Sequence, residues 1–213
     1  MSVLVYVESP KGHIKKTGNE VVSYGSQLAA SLGTHCVALL IGKADDAASC
    51  GLYGASKVIH ANPSSEAEFD SQSFTALISE VAQKEGADHI ILSNTANGKA
   101  LTGRLAIRLN AGDVTGANAL PETSSGFIVS KSVFSGKAVV KYSIETPVKV
   151  ISVMGNTLQP QASGSPAPVE TVDMPLKATK LKVIERKTSE GIVPLPEAEL
   201  VVSAGRGMKG PEN

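Results

Sequence analysis

Between residues 3 and 109, short apolar runs rich in β-branched side chains alternate with windows whose apolar residues recur at helical spacing. That alternation constrains the fold more than any other feature, because a crossover long enough to hold a helix joins parallel strands. Strands are expected at residues 3–7, 36–41, 57–60 and 88–92. In the window 19–32, Val21, Val22, Leu28, Ala29 and Leu32 form one helical stripe, and Gly33 stands where a left-handed residue would end the helix. The window 71–85 places Phe74, Leu77, Ile78 and Val81 on one face and closes at Gly86. The window 98–109 does the same with Leu101, Leu105, Ala106 and Leu109, and carries Arg104 and Arg108 one turn apart. The fold class is therefore α/β: a Rossmann-like, mostly parallel sheet flanked by helices.

The pattern changes after residue 113. Residues 114–121 read as irregular, whereas 126–133, 138–144 and 148–153 are closely spaced strand candidates separated by turn-like intervals at 134–136 and 145–147. Such spacing predicts an antiparallel β ribbon attached to the parallel sheet. Residues 150–153 are apolar enough for a buried strand. The stretch 158–168, rich in Pro, Gly, Ser and Ala, reads as a mobile loop, and 169–173 and 181–187 read as edge strands or a connecting arm. A linker at 188–196 places a domain boundary near Glu190, with residues 1–190 as one α/β domain and 191–213 as a linker and the start of a second. Residues 197–202 would be that second domain's first strand.

Composition narrows the function. Twenty Lys and Arg balance twenty Asp and Glu, so no net charge draws the 213-residue chain to nucleic acid or to an anionic membrane. Its two cysteines, Cys36 and Cys50, do not make a disulfide framework, which fits a reducing compartment. The N-terminus lacks the basic flank and long apolar region of a signal peptide, and no apolar run approaches a bilayer span. A bacterial cytoplasmic protein is expected.

Few residues read as chemistry. The turn Glu8-Ser9-Pro10-Lys11-Gly12-His13 has neither Walker nor dinucleotide glycine spacing, and reads as a surface turn with solvated lysines. It also lacks the serine-glycine-glycine loop of adenylating pyrophosphatases. His35 and Cys36 are adjacent and point to opposite faces of a strand, and His13, His60 and His89 are isolated, so no metal set is expected. No nucleophile elbow or paired carboxylates occur, and Asp45-Asp46 reads as a helix cap and first-turn carboxylate. The exception is Asn94-Thr95-Ala96-Asn97-Gly98-Lys99, between a strand end and an arginine-bearing helix, where doubly wound sheets bind ligands. Asn and Gly are equally ordinary turn residues.

The tail Val201-Val202-Ser203-Ala204-Gly205-Arg206-Gly207-Met208-Lys209 is more specific. Together with residues 93–109, Ala111-Gly112-Asp113-Val114 and the run 147–153, it resembles the alpha subunit of electron transfer flavoprotein, the FixB-like family. The resemblance implies an N-terminal α/β domain, a C-terminal FAD-binding domain absent from these residues, and a beta subunit as partner. It implies electron transfer, not bond-making catalysis, from partner dehydrogenases to a quinone oxidoreductase or another acceptor. It also carries an FAD contact onto Arg206, where flanking glycines allow close approach and a guanidinium offers bidentate donors. On that basis the chain is expected to be a scaffold fragment that binds no FAD alone and has surface that would allow a homodimer. A different reading stays open: a free-standing adenine-nucleotide-binding α/β module, with a pocket lined by residues 8–11 and 94–98.

Overall fold

A computed structural model of the chain describes residues 1–62, 64, 68–177, 179, 181, 184–185, 198 and 200–210. The chain divides into two units, Met1–Lys180 and Leu181–Asn213. In the first unit, nine strands form one sheet: β1 (Ser2–Tyr6), β2 (Cys36–Ile41), β3 (Lys57–Ala61), β4 (Ala87–Ser93), β5 (Gly112–Ala117), β6 (Ile128–Val133), β7 (Ala138–Ser143), β8 (Lys149–Val153) and β9 (Val169–Val172). Three helices accompany them: α1 (Lys16–Ser31), α2 (Ser71–Lys84) and α3 (Ala96–Leu109). The sheet order is β7-β6-β5-β8-β4-β1-β2-β3-β9, parallel throughout except where β6 pairs with β5 and β7. The expected fold class, a mostly parallel sheet flanked by helices with an antiparallel ribbon, is the observed one.

Strands buried on both faces explain why the apolar runs are nearly continuous. Along β1, Val3 and Val5 pack with Val21, Val22 and Leu28 of α1, while Leu4 and Tyr6 face Phe74, Leu77 and Ile78 of α2 and Leu101 and Leu105 of α3. Each such fully buried aliphatic side chain contributes about 1.5–3 kcal/mol relative to exposure. The helix ends follow local chemistry. The Asp70 carboxylate caps α2 by accepting the N–H of Gln72 and of Ser73 at 3.0 and 2.8 Å. Gly33 adopts the left-handed conformation expected of it, with φ of +65°, and Gly86, where the second helical window closes, does so too at +59°. Helix α1 begins at Lys16, a turn before its apolar stripe, because its opening turn is polar and leaves no periodic signal.

Four expectations are corrected. Of the residues 114–121 expected to be irregular, 114–117 belong to β5: a strand containing Gly112, Asp113 and Gly116 has poor intrinsic propensity and is held by its parallel ladder to β8. The run at 149–153 is not a third ribbon strand, since β8 inserts between β4 and β5, parallel to both. The Pro/Gly-rich stretch is not free: Ser163 and Gly164 N–H donate to Leu52 O at 3.0 Å, and Ala167 N–H donates to Ala48 O at 3.0 Å. Close backbone approach fixes it there, since a Cβ on Gly51 would stand 2.2 Å from Ala167 N. Finally, Asp46 precedes a 3-10 segment, Ala47–Tyr53, without a side-chain capping bond.

The edge strand expected near 169–173 is β9, paired parallel with β3. The expected extended segment 181–187 and the linker 188–196, with the boundary near Glu190, lie largely or wholly outside the described residues. Of the strand expected at 197–202, Ala198, Leu200, Val201 and Val202 are described; none is in a strand, and the last three are exposed.

Cys36 and Cys50 are both buried free thiols. Burial, aided by their mutual proximity for Cys36 and by Asp46 for Cys50, pushes each thiol up to about 12. Both are therefore expected to resist alkylation at neutral pH in the native protein and to react promptly in strong denaturant. Thiol titration with and without urea measures this, and fast labelling of native protein would contradict the burial.

Candidate functional site

The chain passes from β1 through α1 to β2 on one side, and from β4 through α3 to β5 on the other. The sheet order therefore reverses between β1 and β4, and α1 and α3 cover opposite faces. In doubly wound sheets the crevice beyond the strand ends at such a reversal is where ligands bind. Here two sequence-predicted segments do converge: Glu8 follows β1, and residues 94–97 follow β4.

What they build is a closed contact. Glu8 Oε1 accepts a hydrogen bond from Thr95 Oγ1, and Glu8 Oε2 accepts one from Asn97 Nδ2 at 3.1 Å. Thr95 in turn caps α3, its Oγ1 accepting the Gly98 N–H at 3.0 Å. A carboxylate thus sits at the N-terminus of α3, where the helix dipole and free N–H groups favour an anion. The chain supplies that anion itself. Glu8→Ala is expected to lower stability by about 1–2 kcal/mol, the usual worth of lost charge-assisted hydrogen bonds that are not fully buried. Urea unfolding measures it, and an unchanged midpoint would show that the carboxylate does not engage α3.

The remaining candidates do not join this crevice. His13 Nδ1 lies 3.5 Å from Asp45 Oδ2, an exposed pairing at the surface, as a solvated turn implies. Arg104 and Arg108 are exposed on α3. His60 Nε2 lies 2.8 Å from Gly42 O, and His89 Nδ1 lies 2.8 Å from Asp88 Oδ1 with its ring against Phe127. Burial holds the His89 pKa below the ordinary histidine value, although Asp88 pulls the other way. Among the described residues, no group of histidines, cysteines and carboxylates could hold a metal ion. No described helix is long and apolar enough to cross a membrane.

A polar recess lies beside the crevice, beyond the ends of β4, β8 and β5. Its volume is about 380 Å³, and Lys99 and Lys131 line it together with Asn94, Gly116, Asn118 and Thr157. The wall formed by the turn after β8 hangs on Glu20 of α1. That carboxylate is 3% exposed and accepts the N–H of Asn156 at 3.0 Å and of Leu158 at 2.9 Å. Nothing in the sequence marks Glu20, which sits amid polar residues of the first turns of α1. Its role appears only when residues 136 positions apart are brought together.

In the second unit, Arg206 opens a single 3-10 turn, Arg206–Met208, preceded by an extended Gly205, and its side chain is exposed. An exposed guanidinium between glycines suits one phosphate contact. Two recesses among the described residues, of about 380 and 290 Å³, are each smaller than a flavin dinucleotide.

Fold and site together define a doubly wound α/β domain with an internally sealed switch point. The family model described as "Electron transfer flavoprotein domain" matches residues 3–177. Electron transfer flavoprotein subunit alpha of Bacillus subtilis (strain 168) is 27% identical over 99% of this chain and 66% of its own length. Protein FixB of Clostridium saccharobutylicum is 26% identical over 99% of the chain and 66% of its own length. Protein FixB of Escherichia coli O1:K1 / APEC is 31% identical over 67% of the chain and 47% of its own length. The chain belongs to the electron transfer flavoprotein domain family, among relatives named as alpha subunits and FixB, and spans about two thirds of the length of the first two.

Proposed function

We propose that this chain serves as the scaffold of an electron transfer flavoprotein alpha subunit. With a beta subunit and FAD, the assembly shuttles electrons from dehydrogenases to a quinone oxidoreductase or another acceptor. The observation that carries the scaffold role is the seal at the switch point. A domain that seats its own Glu8 carboxylate on the Thr95 and Asn97 side chains at the start of α3 places a negative charge at the switch point, which supports a scaffold role there. The cofactor supplies the redox chemistry in this reading, and protein supplies position. Arg206 contributes one contact to an FAD phosphate or flavin edge, which follows from the family resemblance of its glycine-flanked stretch.

Co-purification tests the proposal. The chain co-expressed with a beta subunit of the same family is expected to elute as a complex, and the chain alone to elute without flavin absorbance. Flavin retained by the chain alone through gel filtration, or no association with the beta subunit, would overturn it. The rival nucleotide-module reading makes a separate demand: AMP must displace the resonances of Glu8, Thr95 and Asn97. They are expected to stay in place.

A further inference from the structure

We infer that the recess beyond β4, β8 and β5 binds a small phosphomonoester with a hydroxyl-rich carrier. This goes beyond the electron-transfer role and does not depend on it. Two observations define the charge. Lys99, in the first turn of α3, and Lys131, on β6, line the recess from different elements. Neither has a carboxylate partner among the described residues, and no carboxylate lines the recess. Lys131 is half-buried and Lys99 exposed, and two ammonium groups at one recess without a counter-charge favour an anion there.

The floor is built in advance. Gly116 N–H donates to Ser152 Oγ at 3.1 Å, and Ser152 Oγ donates to Asn94 Oδ1 at 2.9 Å. Ser152 is fully buried, so this chain of bonds is fixed by the core. A bulge in β5 between Thr115 and Ala117 creates it, with Gly116 at φ +84°, a conformation that glycine adopts without strain. Across the recess, Asn118 Nδ2 donates to Ser132 Oγ at 2.8 Å and Asn118 Oδ1 accepts from Ser130 Oγ at 2.7 Å, tying β5 to β6. Preorganised walls lower the ordering cost of binding.

The lining also selects the carrier. It holds no aromatic residue on which a base could stack, and Met154 is its one large apolar side chain. Asn118 keeps its second amide hydrogen and Ser132 its hydroxyl hydrogen beyond the bond that ties them together, and these suit hydroxyl groups. Lysine is a point-charge phosphate binder, and the volume of about 380 Å³ suits a small ligand.

The test is an NMR titration of the chain with glycerol 3-phosphate, inorganic phosphate, succinate and a tetraglutamate peptide. Glycerol 3-phosphate is expected to shift Gly116, Gly155 and Thr157 saturably and to bind more tightly than the other three. Lys99→Ala and Lys131→Ala are each expected to weaken it about tenfold, and Lys137→Ala, on the β6–β7 turn, to leave it unchanged. Inorganic phosphate binding as tightly as glycerol 3-phosphate would overturn the hydroxyl carrier. Succinate or the peptide binding more tightly would overturn the phosphomonoester. No saturable shift at the recess, or affinity indifferent to both lysines, would overturn the site.

Discussion

Gly98→Ala is expected to destabilise the chain by about 3 kcal/mol or more, the largest effect of any single-methyl addition to α3. A Cβ at position 98 would stand 1.8 Å from Ser93 O and 3.1 Å from Ser93 C, both backbone atoms of β4. Neither can swing aside as a flexible side chain would. The helix start must retreat, which breaks the Thr95 cap and withdraws Asn97 from Glu8. Alanine's better helix propensity offsets only about 1 kcal/mol of this. Gly103 provides the contrast on the same helix, because a Cβ there meets nothing within 4 Å. Gly103→Ala is therefore expected to raise stability by up to about 1 kcal/mol. Urea unfolding of both variants decides the matter. A Gly98→Ala protein as stable as its parent would refute the close packing of α3 against the end of β4.

Glu20→Ala ranks second, with an expected loss of about 3 kcal/mol. The side chain holds the Asn156 and Leu158 N–H groups at 3.0 and 2.9 Å, and both lose their acceptor together. Asn156 also has φ of +62°, so the turn sits in a conformation that needs surrounding contacts to persist. Glu20→Gln keeps one acceptor oxygen and is expected to recover about half of the loss, since its NH₂ faces the second donor. Hydrogen exchange should accelerate at Asn156 and Leu158 in Glu20→Ala while the central strands β1 and β4 stay protected. Uniform acceleration across the sheet, or none at the turn, would show that Glu20 does not anchor it. The same variant should weaken binding in the recess, because Gly155 and Thr157 belong to the released wall.

These two sites mark the division between what could be read and what could not. Helices α1 to α3 and strands β1 to β4 were legible because each is a local statement: a stripe of apolar residues, a short β-branched run, a left-handed glycine at Gly33 or a closing glycine at Gly86. Residues 94–99 were legible as a switch-point segment, since strand, turn and helix follow one another in the chain. Strand β5 was not. Its glycines and Asp113 carry no β signal, and only the ladder to β8 makes it a strand.

The sequence by itself determined the α/β class, the order of the first helices and strands, and the family resemblance carried by the Gly205-Arg206-Gly207 stretch. Each of those depends on residues within a few turns of one another. Tertiary structure decided the rest: β8 inserted between β4 and β5, Glu8 seated on α3 from 87 residues away, and Glu20 holding a turn 136 residues downstream. Charge and hydrogen-bond pairing across such separations leave no periodicity, so the sealed crevice and the open recess beside it emerge only when the sheet brings its strand ends together.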